Sequence, residues 1–76
     1  MIDLAAIRRA AGLTQNELAA NLGVGQAQIS KIERQDDMLI STLASYLVAL
    51  GVETKLVVQM GDQVVTYDLT ARKGKR

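Results

Sequence analysis

The sequence predicts a mainly α-helical domain of four to five short helices, closed by a C-terminal β-hairpin. Three observations carry this. Through the first fifty residues apolar side chains recur at spacings of three and four, and Gly12, Gly23 and Gly51 interrupt the pattern. From Thr54 onward the period falls to two. Between them, Ala19, Gly23, Val24, Ile29 and Ile32 follow an order that suits two short helices meeting at a steep angle.

Each element has its own local reason. In the first helix Leu4, Ile7 and Ala11 fall on one face, Asp3 is a plausible N-cap, and Gly12 stops the turn. Thr14 followed by Glu17 is a capping box, which starts a second helix through Leu22 and Gly23. A third helix spans about Gln26 to Arg34, with Ile29 and Ile32 facing inward. Gln35, Asp36 and Asp37 break the chain. A fourth helix from about Ser41 to Leu50 carries Leu43, Leu47 and Leu50 on one face. Two strands follow, Thr54 to Met60 and Gln63 to Leu69, around a Gly61-Asp62 turn. Leu56, Val58 and Met60 share one face of the first strand; Val65, Tyr67 and Leu69 share one face of the second. A lone hairpin is marginal in water, so this one needs a surface to cover it. The organisation expected is therefore a helical unit at 1–52, a hairpin at 53–70 and a basic, disordered tail at 71–76.

Composition removes whole function classes. The 76 residues contain no histidine and no cysteine, so the commonest general base, nucleophile and metal ligands are missing together. No enzymatic role, metal or cofactor is expected. The net charge is only +1, and Arg72, Lys73, Lys75 and Arg76 supply four of the nine basic residues. Without those four the body carries −3, so any electrostatic footprint on nucleic acid must be local. No apolar run is long enough for a membrane span, and no secretory leader is visible, so a cytoplasmic location is expected.

The stretch LGVGQAQIS, residues 22 to 30, holds two glycines two apart. A dinucleotide-binding loop would need a third glycine where Gln28 stands, and a strand before it. Gly23 is instead read as the bend between two helices and Gly25 as a helix cap. Ala19 is small where the helices approach, Val24 is expected to plug the space beneath the turn, and Ile29 and Ile32 anchor the second helix. This is the packing pattern of a helix-turn-helix. Leu13, Thr14, Gln15, Leu18, Ala19, Leu22, Gly23, Val24, Gln26, Ile29, Ser30, Ile32 and Glu33 together resemble the XRE family of DNA-binding domains, similar to the lambda and 434 repressors. The following KIERQDDMLISTLASYLVALG and the paired strands resemble its HigA- and HipB-type antitoxin branch. That branch often carries an additional N-terminal helical segment. This chain starts almost at the first helix, so the segment is expected to be missing or trimmed.

The resemblance implies a lambda-repressor-like fold and a homodimer joined partly through Leu56, Val58, Met60, Val65, Tyr67 and Leu69. It places the third helix in the major groove of double-stranded DNA, with Gln26, Ala27, Gln28, Ser30 and Lys31 on base edges. Glutamine suits adenine, alanine a thymine methyl, and lysine guanine or phosphate. Thr14 and Gln15, at the start of the second helix, are expected on phosphate, with Arg8, Arg9, Gly25 and Arg34 beside them. Relatives commonly have Ser or Thr where Gly25 stands, so one phosphate-binding hydroxyl is lost here. The implied function is a sequence-specific, autoregulatory repressor on a palindromic operator, an antitoxin of a type II operon with a cognate toxin as protein partner. The alternative is a solitary phage- or plasmid-type autorepressor, including the regulators found beside anti-CRISPR genes, with no toxin partner.

Overall fold

A computed structural model describes residues 2–71. The basic run anticipated from Arg72 onward lies outside them. The order is α1 (Leu4–Ala10), α2 (Gln15–Leu22), α3 (Gln26–Arg34), α4 (Ile40–Leu50), β1 (Lys55–Met60) and β2 (Gln63–Asp68). Among the described residues there are four helices and one two-stranded antiparallel sheet. No helix among them is long and apolar enough to cross a membrane.

The helix boundaries follow the punctuation in the sequence. Asp3 caps α1 by accepting from the Ala6 N–H. The Thr14 hydroxyl accepts from the Glu17 N–H, and the Glu17 carboxylate accepts from the Thr14 N–H, so the capping box is complete. Gly23 ends α2 at a φ of 79°, where the Val24 N–H reaches back to the Ala19 carbonyl. In the hairpin, Gly61 has positive φ and Asp62 does not, as a type II′ turn with glycine first requires. The strands pair Leu56 with Tyr67 and Val58 with Val65, which puts these four on one face.

The core is small. Leu4, Leu18, Ala19, Ile29, Ile32, Tyr46, Leu47 and Leu50 form it, with Ile7, Leu13, Leu22, Leu43 and Met38 packed around them. Ala19 is 4% exposed, as expected of the small residue at the α2–α3 approach. Val24 differs from expectation: it is 39% exposed and does not plug the turn. Tyr46 is fully buried in this core, and its hydroxyl lies within hydrogen-bond distance of the Leu4 carbonyl on α1 and of Glu33 on α3.

A charged group lies against this core. Glu33 accepts from Arg8 Nε at 2.7 Å and Nη2 at 3.3 Å, from Gln15 Nε2 at 2.9 Å and from the Tyr46 hydroxyl at 2.6 Å. Arg8 also donates from Nη1 to the Leu13 carbonyl at 2.9 Å. Burial pushes the Glu33 carboxyl up, but the hydrogen bonds from Arg8, Tyr46 and Gln15 outweigh it and hold the group below its ordinary 4.5. The hydrogen bond to Glu33 raises Arg8, against the opposing effect of burial. Burial, and then the bond to Glu33, raise the Tyr46 hydroxyl well above its ordinary 10.0.

The hairpin is packed differently. Every residue of both strands is exposed. Its base is tied by the Leu69 N–H to the Thr54 carbonyl at 3.0 Å and by the Thr54 N–H to the Thr70 hydroxyl at 3.1 Å. Lys55 and Asp68 approach to 4.0 Å, but both are about half exposed, and such pairs contribute little.

Two predictions follow from the buried network. Tyr46→Phe removes a donor from Glu33 and should cost about 1–3 kcal/mol, read from the denaturant midpoint. The stability contributed by the depressed Glu33 carboxyl is present above its unfolded value of 4.5 and is lost as pH falls through its lower folded value. The raised Tyr46 acts in the other direction: its contribution is intact below 10.0 and is lost above it. Thermal melts should therefore plateau between these limits, and Glu33→Gln should flatten the acid limb.

Candidate nucleic-acid interface

The N-terminal end of α3 and the N-terminal end of α2 come together on one surface. Arg9, Gly12, Thr14, Gln15, Asn16 and Gln26 line a shallow open groove there, with Arg8 and Leu13 at its floor. Gln26 Nε2 donates to Gln15 Oε1, so the first residue of α3 is held against the first residue of α2. In the first turn of α2 the Glu17 N–H donates to the Thr14 hydroxyl, and in that of α3 the Gln28 N–H donates to the Gly25 carbonyl. The N–H groups that precede them in each helix lie outside the i to i−4 ladder and give this surface a positive partial charge.

Along α3, a helix turns by about 100° per residue. Ile29 and Ile32 are buried, so Ala27, Lys31 and Arg34 point the opposite way, and Gln26 and Gln28 flank them. Gln26, Ala27, Gln28 and Lys31 are exposed, while Ser30 is half-buried and accepts from Arg34. Among the described residues Gln28 makes no side-chain hydrogen bond, in contrast to Gln26. Four exposed side chains of different character thus project from the first turns of one helix, Gln26 against α2 and Ala27, Gln28 and Lys31 outward.

The structure sorts the expected phosphate ligands. Arg9 and Arg34 are exposed and face solvent. Thr14 has its hydroxyl committed to the capping box, and Gln15 uses one amide N–H on Glu33, leaving the other. Gly25 stands at the N-cap of α3 in extended backbone, at a φ of −83°, with no side chain to accept from the helix. Arg8 is a correction. It is 8% exposed, and Nε, Nη1 and Nη2 all donate to protein acceptors, so it holds the fold and does not reach phosphate. A signal was present: Arg8 lies four residues after Leu4, on the same helical face.

Two polar participants are absent from the expected site residues, although Glu33 belongs to the residues that carry the family resemblance. Asn16 lines the groove, and Glu33 positions Gln15 from below. Asn16 was legible as a first-turn residue of a capped helix. Glu33 was not, because its partners lie 25 and 18 residues before it and 13 after.

The expected interface strands also divide. Leu56, Val58, Val65 and Tyr67 stand on one exposed face, with Met60 beyond them at the turn. Leu69 does not join them. It lies one residue past β2, half-buried, at a groove with Leu22, Ala44, Val48 and Ala49.

Comparison with known proteins points to one group. A helix-turn-helix family model matches residues 4–57. The curated protein "Putative antitoxin HigA3" of Mycobacterium tuberculosis (strain ATCC 25618 / H37Rv) is 41% identical over 71 residues, covering 90% of this chain and 63% of that one. "Putative antitoxin HigA2" of the same strain is 37% identical over 62 residues, covering 79% and 61%. The chain therefore spans about three fifths of the length of these curated relatives. Among solved structures, one described as "DNA bound antitoxin HigA3" superposes with a TM-score of 0.79 at 37% identity, covering 99% of this chain and 97% of the other. Another, described as "Induced DNA bending by unique dimerization of HigA antitoxin", gives 0.76 at 39% identity, covering 93% and 96%.

The two glycines of the turn should respond with opposite signs. Gly25→Ser meets nothing within 4 Å of its new Cβ and supplies an acceptor for α3, so stability should rise by a few tenths of a kcal/mol. Gly23→Ala forces a side chain into left-handed backbone and should cost about 1 kcal/mol. Urea denaturation of the two variants beside the parent checks both.

Proposed function

The chain belongs to the XRE-type helix-turn-helix family, and on that premise we propose that it is a homodimeric, autoregulatory antitoxin that represses its own operon by binding a palindromic operator. The observation that carries this reading is the exposed N-terminal face of α3, with Gln26 braced against α2. A helix presented in this way fits the major groove, where Gln26, Ala27, Gln28 and Lys31 meet base edges. Ser30 sits at the margin of that set. Arg9 and Arg34 supply phosphate contacts, as do the N–H groups at the starts of α2 and α3 with Thr14, Gln15 and Gly25 beside them.

Dimerisation belongs to the hairpin. Leu56 is 45%, Val58 43%, Val65 51% and Tyr67 61% exposed. A contiguous apolar face of this kind is rare on a monomer, and a hairpin with nothing over it is marginal. A second hairpin across a two-fold axis covers it and sets two recognition helices about one DNA turn (~34 Å) apart. Residues 1–52 then act as the DNA-binding unit and 53–70 as the dimerisation element. One relative's structure is described as DNA-bound and another concerns dimerisation of a HigA antitoxin, which supports reading this chain as a DNA-binding dimer.

The antitoxin reading is preferred over a solitary autorepressor because the relatives are antitoxins. A cognate toxin is then the second protein partner, engaged through the folded domain. As an operon regulator the protein would act in the cytoplasm, on the nucleoid.

Selection of bound sequences from random duplex DNA, at two salt concentrations, tests the proposal. A palindromic consensus is expected; weak binding to every sequence, erased by salt, would refute it. Gln26→Ala should cost about 1–3 kcal/mol and relax one position per half-site, while Arg34→Ala should weaken all sequences alike and lower the salt slope by about 1. Val58→Asp with Val65→Asp should give a monomer in sedimentation at micromolar concentration. A parent protein that is itself monomeric there, with operator affinity intact, would rule out the hairpin dimer.

A further inference from the structure

We propose that Glu33, a residue beneath the DNA-binding surface, is a specificity-positioning residue: through Gln15 it fixes which way the Gln26 amide faces, and so selects adenine over guanine. This rests on the reading of α3 as the recognition helix.

The chain of constraint starts from a charge. Glu33 is a carboxylate whose side chain is 6% exposed, and a carboxylate only accepts hydrogen bonds. Its Oε2 takes Arg8 Nε and the Tyr46 hydroxyl; its Oε1 takes Arg8 Nη2 and Gln15 Nε2. Gln15 must therefore turn its NH₂ toward Glu33. That leaves the Gln15 carbonyl oxygen at the opposite corner, toward Gln26. Gln26 in turn must donate, and Nε2 of Gln26 does so to Oε1 of Gln15. The reverse orientation would set the Gln15 carbonyl against the carboxylate, acceptor facing acceptor.

The outcome is a defined surface at position 26. One of the two Gln26 N–H groups is used. What remains is one N–H donor and the carbonyl acceptor. Adenine offers the complement in the major groove, an N6 donor and an N7 acceptor. Guanine offers two acceptors, N7 and O6, and would leave the Gln26 carbonyl facing one of them. Without the anchored Gln15, the Gln26 amide is free to turn over and accept either purine. Arg8 and Tyr46 matter here only because they keep Glu33 ionised and still.

The test is sequence selection with four proteins: the parent, Gln26→Ala, Gln15→Met and Glu33→Gln. Gln15→Met leaves the contacts of Glu33 with Arg8 and Tyr46 in place, so it reads the relay without disturbing the fold. In the parent, one position of each half-site should be adenine, and Gln26→Ala should erase that preference. Gln15→Met and Glu33→Gln should each reduce adenine-over-guanine discrimination at that position by roughly tenfold or more, with the other positions unchanged. A merely structural role would lower affinity evenly across positions. If Gln15→Met keeps the parent's adenine preference, or if the Gln26-dependent position is guanine in the parent, the inference is overturned while the DNA-binding reading stands. A parent that selects no consensus overturns that reading itself.

Discussion

One carboxylate reaches all four helices. Glu33 lies on α3 and receives hydrogen bonds from Arg8 on α1, Gln15 on α2 and Tyr46 on α4. Burying a charge in this way is costly, and the cost is offset only when every acceptor site finds a donor. Here each oxygen has at least two. An isolated buried ion pair is weak evidence of net stability. Its consequence is geometric. Apolar contacts among Leu18, Ile29 and Leu47 tolerate small slides; a carboxylate held by a guanidinium, a phenol and an amide does not.

That rigidity has a use at the surface. The outer end of the network is Gln26, at the first turn of α3, where the proposed operator contacts begin. A helix-turn-helix can place a helix near DNA by packing alone, since Ala19 and the bend at Gly23 set the approach. Packing does not orient an amide, because the two ends of a glutamine side chain have nearly the same shape. Hydrogen bonds to a fixed charge do.

The hairpin poses the opposite problem. Its strands carry Leu56, Val57, Val58, Met60, Val64, Val65 and Tyr67, and all seven are exposed. The apolar face on Leu56, Val58, Val65 and Tyr67 is stable only against another surface, and the proposed dimer provides one. Leu69, tucked toward α2 and α4, belongs instead to the joint between hairpin and helices. A half-buried anchor there gives the strands a fixed departure point from the domain.

Local rules wrote most of the fold into the sequence. Asp3, the Thr14–Glu17 box, the left-handed glycines and the switch of period at Thr54 each act over a few residues, so each was legible, and α4 begins only one residue before Ser41. The face of α3 was legible too, because Ile29 and Ile32 leave the rest outward. What periodicity missed were Arg8, Glu33 and Tyr46, two charges and one polar group whose roles depend on one another across 13 to 38 residues of chain. Read singly, an arginine on a helix is a surface cation. Only when the tertiary structure brings it against a buried carboxylate does burial become favourable, and that pairing is an outcome of packing that no local pattern records. Sequence alone settled where the helices start, stop and turn; tertiary structure decided which charges face inward and how Gln26 is held, because those depend on distances between elements.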